Sequence, residues 1–283
     1  MVAIVTDASV DLSPEQAAEA GAIIAPLTYE LGGERYLTGS QSVDEFFATL
    51  QTHGEAAVSG VQADDFEAAF RQAVEADEEV ICICQSFGSS FTYVAAQVGS
   101  QRVQADSTLT VRIVNTGRST AAQAAITLIA AAEAKAGKSM AEVLATIERA
   151  STQAETFVIS PSVEQLDRAG QLKIVTSQSG IGALEPGVPL FRVRDRLTAI
   201  TVGDDAAAAE SELLDRAAQL ADGSPVALVV THAQAPGAAD RLAAAADRRL
   251  SVQEAIVTEM GPTLGALLGP GAYGLGLCIT PDA

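Results

Sequence analysis

The chain has 283 residues, of which 48% are hydrophobic, so it is long enough for two packed units with sizeable cores. Its formal charge of −19 would repel both nucleic acid and anionic bilayers, which argues against either as a partner. No apolar run approaches the roughly 18 residues a bilayer span requires. MVAIVTDAS also lacks the basic flank and cleavage region of a signal peptide, so a cytoplasmic protein without stable membrane insertion is expected.

VAIVT (residues 2–6) reads as a strand. SPEQAAEAG follows as a helix opened by Ser13 and Pro14 and closed by Gly21. AIIAPLTYEL is a further extended run. SVDEFFATLQ and ADDFEAAFRQAVEA carry acidic first turns and apolar i, i+3/i+4 spacing, the pattern of helices. VICIC, the segment SSFTYVAAQVGSQRV, VRIVNT and the long STAAQAAITLIAAAEAKAG continue a β-α-β-α series, which implies a parallel sheet. After SMAEVLATIERASTQ the elements shorten. TFVISPS, the region around KIVTSQSG, PLFRVRDR and LTAITVG read as strands. ESELLDRAAQLADG (helix), PVALVVTHA (strand), GAADRLAAAADRR (helix), VQEAIVTEM (strand) and AYGLGLCIT (strand) complete the chain. The expected fold is therefore α/β in two domains. Residues 1–155 are expected to form a parallel-sheet, Rossmann-like domain and 156–283 a mixed α+β domain.

Open parallel sheets bind ligands beyond the carboxyl ends of their strands. Hydroxyls gather there: Thr6 and Ser9 after VAIV, Ser86 to Ser90 after VICIC, and Thr116 after VRIVN. Ser59, ahead of ADDFEAAF, adds another. Each taken alone reads equally as a helix cap or turn. As a set they suit a carboxylate or phosphate, held by neutral donors and helix N-termini. Asp7 is the best-placed carboxylate, with an Asx-type turn as its structural alternative. Catalysis has little to use, because GxSxG, GxxxxGK[ST] and a strand-borne GxGxxG are all missing. Of the two histidines, His53 lies in the polar, loop-like stretch THGE and His232 ends a strand. Asp7 with His232 is the one pair a kinase- or transferase-type enzyme could call upon. Metal-ligand spacing is absent. Cys82, Cys84 and Cys278 sit in apolar runs and read as core residues.

An ordered set of motifs resembles the DegV family, the bacterial fatty-acid-binding proteins. VTDASVDL is similar to that family's VTDSTADL opening, and PLTYELGGERYLTGSQSVDEFFATL to its next stretch. AVSGVQADDFEAAF is similar to TSQPS-xxxF, SFGSSFTYVAA to SSxLSGTYxxA, VEQLDRAGQL to LEYLxxGGRI, and LLGPGAYGLGL to HTGPGxxGL. The resemblance implies two α/β domains around one long-chain fatty acid such as palmitate, which is the ligand; no cofactor or metal is implied. It places the acyl carboxylate at Ser59 and Ser90, with Val58 where the family has a further donor; the strand-end reading adds Ser86 to that set and Thr6, Asp7 and Thr116 as secondary positions. It also implies a non-enzymatic carrier that presents the carboxylate to a partner fatty acid kinase for phospholipid synthesis. The chain departs from the pattern at Val58 (family threonine), Phe91 (glycine), Gln171 (arginine) and Leu267 (histidine), and at Gly203–Asp204, where an arginine is expected. Those departures leave a third reading open, a partner-binding protein with a degenerate pocket.

Overall fold

The computed structural model describes residues 2–74, 79–85, 91–181 and 184–280. In chain order these residues form β1 (Val2–Asp7), α1 (Pro14–Ala20), β2 (Ala22–Ala25), β3 (Leu27–Leu31), β4 (Glu34–Leu37), α2 (Val43–His53), β5 (Ala56–Val61) and α3 (Ala63–Val74). Then come β6 (Glu79–Cys84), α4 (Thr92–Asp106), β7 (Thr110–Asn115), α5 (Thr120–Lys135) and α6 (Met140–Thr152). The remainder comprises β8 (Ala154–Ile159), α7 (Glu164–Arg168), α8 (Leu172–Ser179), β9 (Val188–Val193), β10 (Leu197–Gly203) and α9 (Ala206–Ala221). It closes with β11 (Pro225–His232), α10 (Pro236–Arg249), β12 (Ser251–Glu259), α11 (Pro262–Leu268) and β13 (Tyr273–Ile279).

Three sheets result. The first is parallel throughout, in the order β2-β1-β6-β7. The second, β4-β3-β5, is a small antiparallel ribbon. The third is mixed, in the order β10-β9-β8-β13-β11-β12, and only β11 and β12 run parallel in it. The extended run AIIAPLTYEL divides at Pro26, so that β2 joins the parallel sheet and β3 the ribbon. Pro26 lacks the N–H that a continuous ladder would use.

Local chemistry accounts for the helix starts. Ser13, Ser42 and Ser139 each accept from the backbone N–H three residues on, and Gln16, Glu45 and Glu142 reach back to the cap. The alanine-rich α5 is apolar on nearly every side because it lies between two sheets. It packs on β1 on one side and on β13, β11 and β8 on the other. Gly276 makes that approach possible, since a Cβ there would lie 2.3 Å from the Ala121 carbonyl carbon.

The apolar side chains divide accordingly. One cluster surrounds α5 and a second lies under α9 and α10. The third joins Tyr29, Phe46, Phe47, Val61 and Phe66 to Val158, Val175, Phe191, Leu264 and Leu268, and so ties the ribbon and α2–α3 to the mixed sheet.

One expectation from the sequence fails here. KIVTSQSG lies within α8 and its C-terminal cap, not in a strand. Leu172 and Val175, three residues apart, both pack on the third apolar cluster. The hydroxyls of Thr176 and Ser179 donate back to the carbonyls of Leu172 and Val175. Packing of one helical face has overridden the β-branched composition. No helix among the described residues is long and apolar enough to cross a membrane.

Candidate ligand-binding site

The carboxyl end of the parallel sheet is closed by a buried polar network centred on Asp7, the last residue of β1. Its Oδ1 accepts from the Ser9 backbone N–H at 3.0 Å and from the Ser9 hydroxyl. Its Oδ2 accepts from the Gln85 backbone N–H at 2.6 Å and from Gln123 Nε2 at 3.2 Å. Asp7 therefore makes the Asx-type turn and also ties β1 to the end of β6 and to α5. Burial pushes its carboxyl above the ordinary range, against the opposing pull of these donors. Gln123 also donates to Thr6 Oγ1 at 3.2 Å. Thr116, after β7, accepts from the Arg118 backbone N–H at 3.2 Å and is likewise buried.

Ser59 is placed differently. It stands on β5 of the antiparallel ribbon, not on the parallel sheet. Tyr29 pairs with Val58 and Thr28 with Gly60, so Ser59 is the extra residue of a β-bulge, followed by Gly60 at a φ of +77°. A bulge turns a side chain out of the regular alternation. Ser59 is exposed, and its hydroxyl has no hydrogen-bond partner among the described residues. Val61, two positions on, is already part of the third apolar cluster. Ser59, its hydroxyl unpartnered among the described residues, thus stands two positions along β5 from that cluster. Val58 beside it is exposed as well. Ser86 and Ser90 lie outside the described residues.

The remaining positions singled out from the sequence scatter. His232 is buried at the end of β11, where its Nδ1 accepts from the Ala235 N–H at 3.4 Å, and it shares no hydrogen bond with Asp7. His53 is the last residue of α2, not part of a loop. Phe91 is 78% exposed just before α4, and Leu267 packs on the third apolar cluster. The three cysteines are buried and free, with the sulfurs of Cys82 and Cys84 at 3.6 Å. No His, Cys, Asp and Glu grouping able to hold a metal ion occurs among the described residues. Gln85 and Gln123 were not foreseen, although a lone glutamine inside the apolar run TAAQAAITL is a signal of buried polar work.

The family model described as "Uncharacterised protein, DegV family" matches residues 1–280. The chain belongs to the DegV family. A DegV domain-containing protein of Streptomyces coelicolor is 28% identical to it over 278 residues, 97% of each chain. A DegV family protein from Thermus thermophilus, whose structure is described by its fatty-acid binding, superposes with a TM-score of 0.85 at 23% identity, covering 98% of this chain and 99% of that one. DegV from Bacillus subtilis, described as a fatty acid binding protein, superposes with a TM-score of 0.82 at 23% identity over 99% of both chains. Both structures share the DegV fold found here.

Proposed function

We propose that this DegV protein is a cytoplasmic, non-enzymatic carrier of one long-chain fatty acid, whose tail lies along the third apolar cluster. The observation that carries this reading is the contrast between engaged and free hydroxyls. Thr6, Asp7 and Thr116 are bound up in the fold, whereas the Ser59 hydroxyl has no partner among the described residues and stands on its bulge two positions from Val61 of the apolar cluster. The fatty-acid binding described for the Thermus and Bacillus proteins supports the choice of ligand. In this reading Ser59 is joined at the carboxylate by Ser90 and Ser86. Thr6, Asp7 and Thr116 shape the adjoining strand ends, and Val58 offers only apolar contact.

The energetics assign the roles. Burying a sixteen-carbon tail at about 0.8 kcal/mol per methylene gives roughly 12 kcal/mol before entropic costs. Each hydrogen bond to the carboxylate adds about 1.5–3 kcal/mol. The tail sets affinity, and the hydroxyls set which end faces out. A carboxylate held at an exposed serine is open to a partner, and a kinase that phosphorylates it for phospholipid synthesis completes the proposal.

Native mass spectrometry with lipid extraction tests the carrier directly. One acyl chain per protein is expected, together with uptake of added palmitate. Finding neither would reject the reading. Mixing the loaded protein with a fatty acid kinase catalytic subunit and ATP tests presentation, with acyl phosphate as the expected product.

A further inference from the structure

We propose that Asp11 is a proton-controlled latch between the end of β1 and the corner where β12 turns into α11, holding that corner shut when neutral and releasing it when ionised. Asp11 follows the turn after β1 in a left-handed conformation, with φ at +58°. Its backbone carbonyl accepts from the Thr258 hydroxyl, and its Oδ1 accepts from the Gly261 backbone N–H at 2.8 Å. The fit is close, since a Cβ at Gly261 would come within 2.8 Å of Oδ1. Oδ2, by contrast, is buried without a hydrogen-bond partner among the described residues. A carboxylate so placed leaves half of its charge unsolvated, whereas the neutral acid costs far less to bury.

The surroundings sharpen this dependence. Asp11 is 6% exposed and borders a cleft of about 1060 Å³ between α1, the β4–α2 connection and the β12–α11 corner. The other ionisable acids of that cleft are Glu15 from α1, Glu45 from α2 and Glu259 from β12, and no Lys, Arg or His lines it. Asp7, at the end of β1, adds its own charge. The charge that bears on Asp11, that of Asp7, opposes its ionisation. Burial, with the Asp7 charge adding to it and the Gly261 N–H opposing it, pushes the Asp11 carboxyl up to about 7. A carboxyl raised in the closed state stabilises closure fully below its value in the open state, about 4. It loses that stabilisation as pH climbs to about 7, and nothing further changes above. Closure is therefore favoured by acid.

The corner matters because Leu264 and Leu268 of α11 help to wall the apolar cluster, and Gly265 packs on Phe47. That a loosened α11 admits a ligand rests on the fatty-acid reading above; the latch itself does not.

Hydrogen exchange by mass spectrometry on a peptide covering residues 256–266, comparing wild type with Asp11→Asn at each pH, cancels intrinsic amide chemistry. Asparagine keeps the Oδ1 acceptor but cannot ionise. The wild-type-to-variant ratio of opening should rise tenfold or more between about pH 5 and pH 7 and stay level above. A wild-type-to-Asp11→Asn ratio independent of pH would overturn the latch. Should Asp11→Asn fail to fold, Thr258→Val is the second variant: its opening, corrected for the intrinsic exchange of the unfolded peptide, should exceed that of wild type at every pH and should still rise tenfold or more between about pH 5 and pH 7, and a corrected opening level with pH would overturn the latch. A carboxyl carbon NMR titration placing Asp11 near 4 in the wild type would overturn the proposal regardless. Palmitate uptake is followed in parallel. An intact pH slope without uptake at any pH supports the latch and refutes only the carrier reading.

Discussion

Replacing Asp7 with asparagine isolates the network that closes the parallel sheet. Four donors converge on this carboxylate, with Ser9 supplying two to Oδ1 and Gln85 and Gln123 one each to Oδ2. Asparagine is nearly the same shape but accepts at one oxygen only. Whichever way it turns, its NH2 faces a backbone N–H, that of Ser9 or that of Gln85, and neither can rotate away. A buried unpaired donor costs about 1–3 kcal/mol, and loss of charge assistance adds to it, so a total near 2–3 kcal/mol is expected. For a chain of this size that lowers Tm by roughly 5–10 °C. Asp7→Ala leaves both backbone donors unpaired and should be the worse of the two. Thermal unfolding by circular dichroism, repeated in guanidinium, measures both variants. If Asp7→Asn melts within about 1 °C of wild type, or Asp7→Ala is the milder change, the four-donor account of Asp7 is wrong.

Ser59→Ala should leave Tm unchanged, because the hydroxyl has no partner among the described residues, and should weaken palmitate binding by about tenfold to a hundredfold in a fluorescence titration. Shortening the ligand by four methylenes should weaken it by about two hundredfold, since each is worth about 0.8 kcal/mol. Gly276→Ala drives a methyl into the Ala121–Ala122 backbone and should lower stability by about 2–3 kcal/mol in chemical denaturation; an unchanged midpoint would mean α5 does not rest on β13 as described. Burial pushes the Cys278 thiol up to about 12, and the contact with Cys82, together with burial, raises Cys84. Native protein at neutral pH should therefore resist alkylation by iodoacetamide, while the guanidinium-unfolded chain should react at all three cysteines.

Much of this architecture is legible in the residues. Ser13, Pro14 and Gly21 mark α1 because capping is local chemistry, and alternation of apolar strands with alanine-rich helices implies the parallel sheet. α8 is not legible, because Ile174, Val175 and Thr176 favour strand and only the packing of Leu172 and Val175 decides for helix. The ribbon is similarly hidden. β4 and β5 become strands by pairing with β3, and the bulge at Ser59 exists only in that register. At the site, Thr6, Asp7 and Ser59 stand out by residue type, but type does not distinguish a hydroxyl used by the fold from one left free. Asp11 gives no signal in sequence, since its partners Thr258 and Gly261 lie some 250 positions away.

The position of α5 has a consequence for how this molecule can be divided. A single alanine-rich rod serves as the shared floor of two sheets, so each half of the chain completes its interior only with the other in place. A fragment ending after the first 150 residues would carry one whole side of that rod bare to water, and the complementary fragment would lack the floor beneath β13. Calorimetry should show one cooperative transition, and separately expressed halves should aggregate apart and recover solubility when co-expressed.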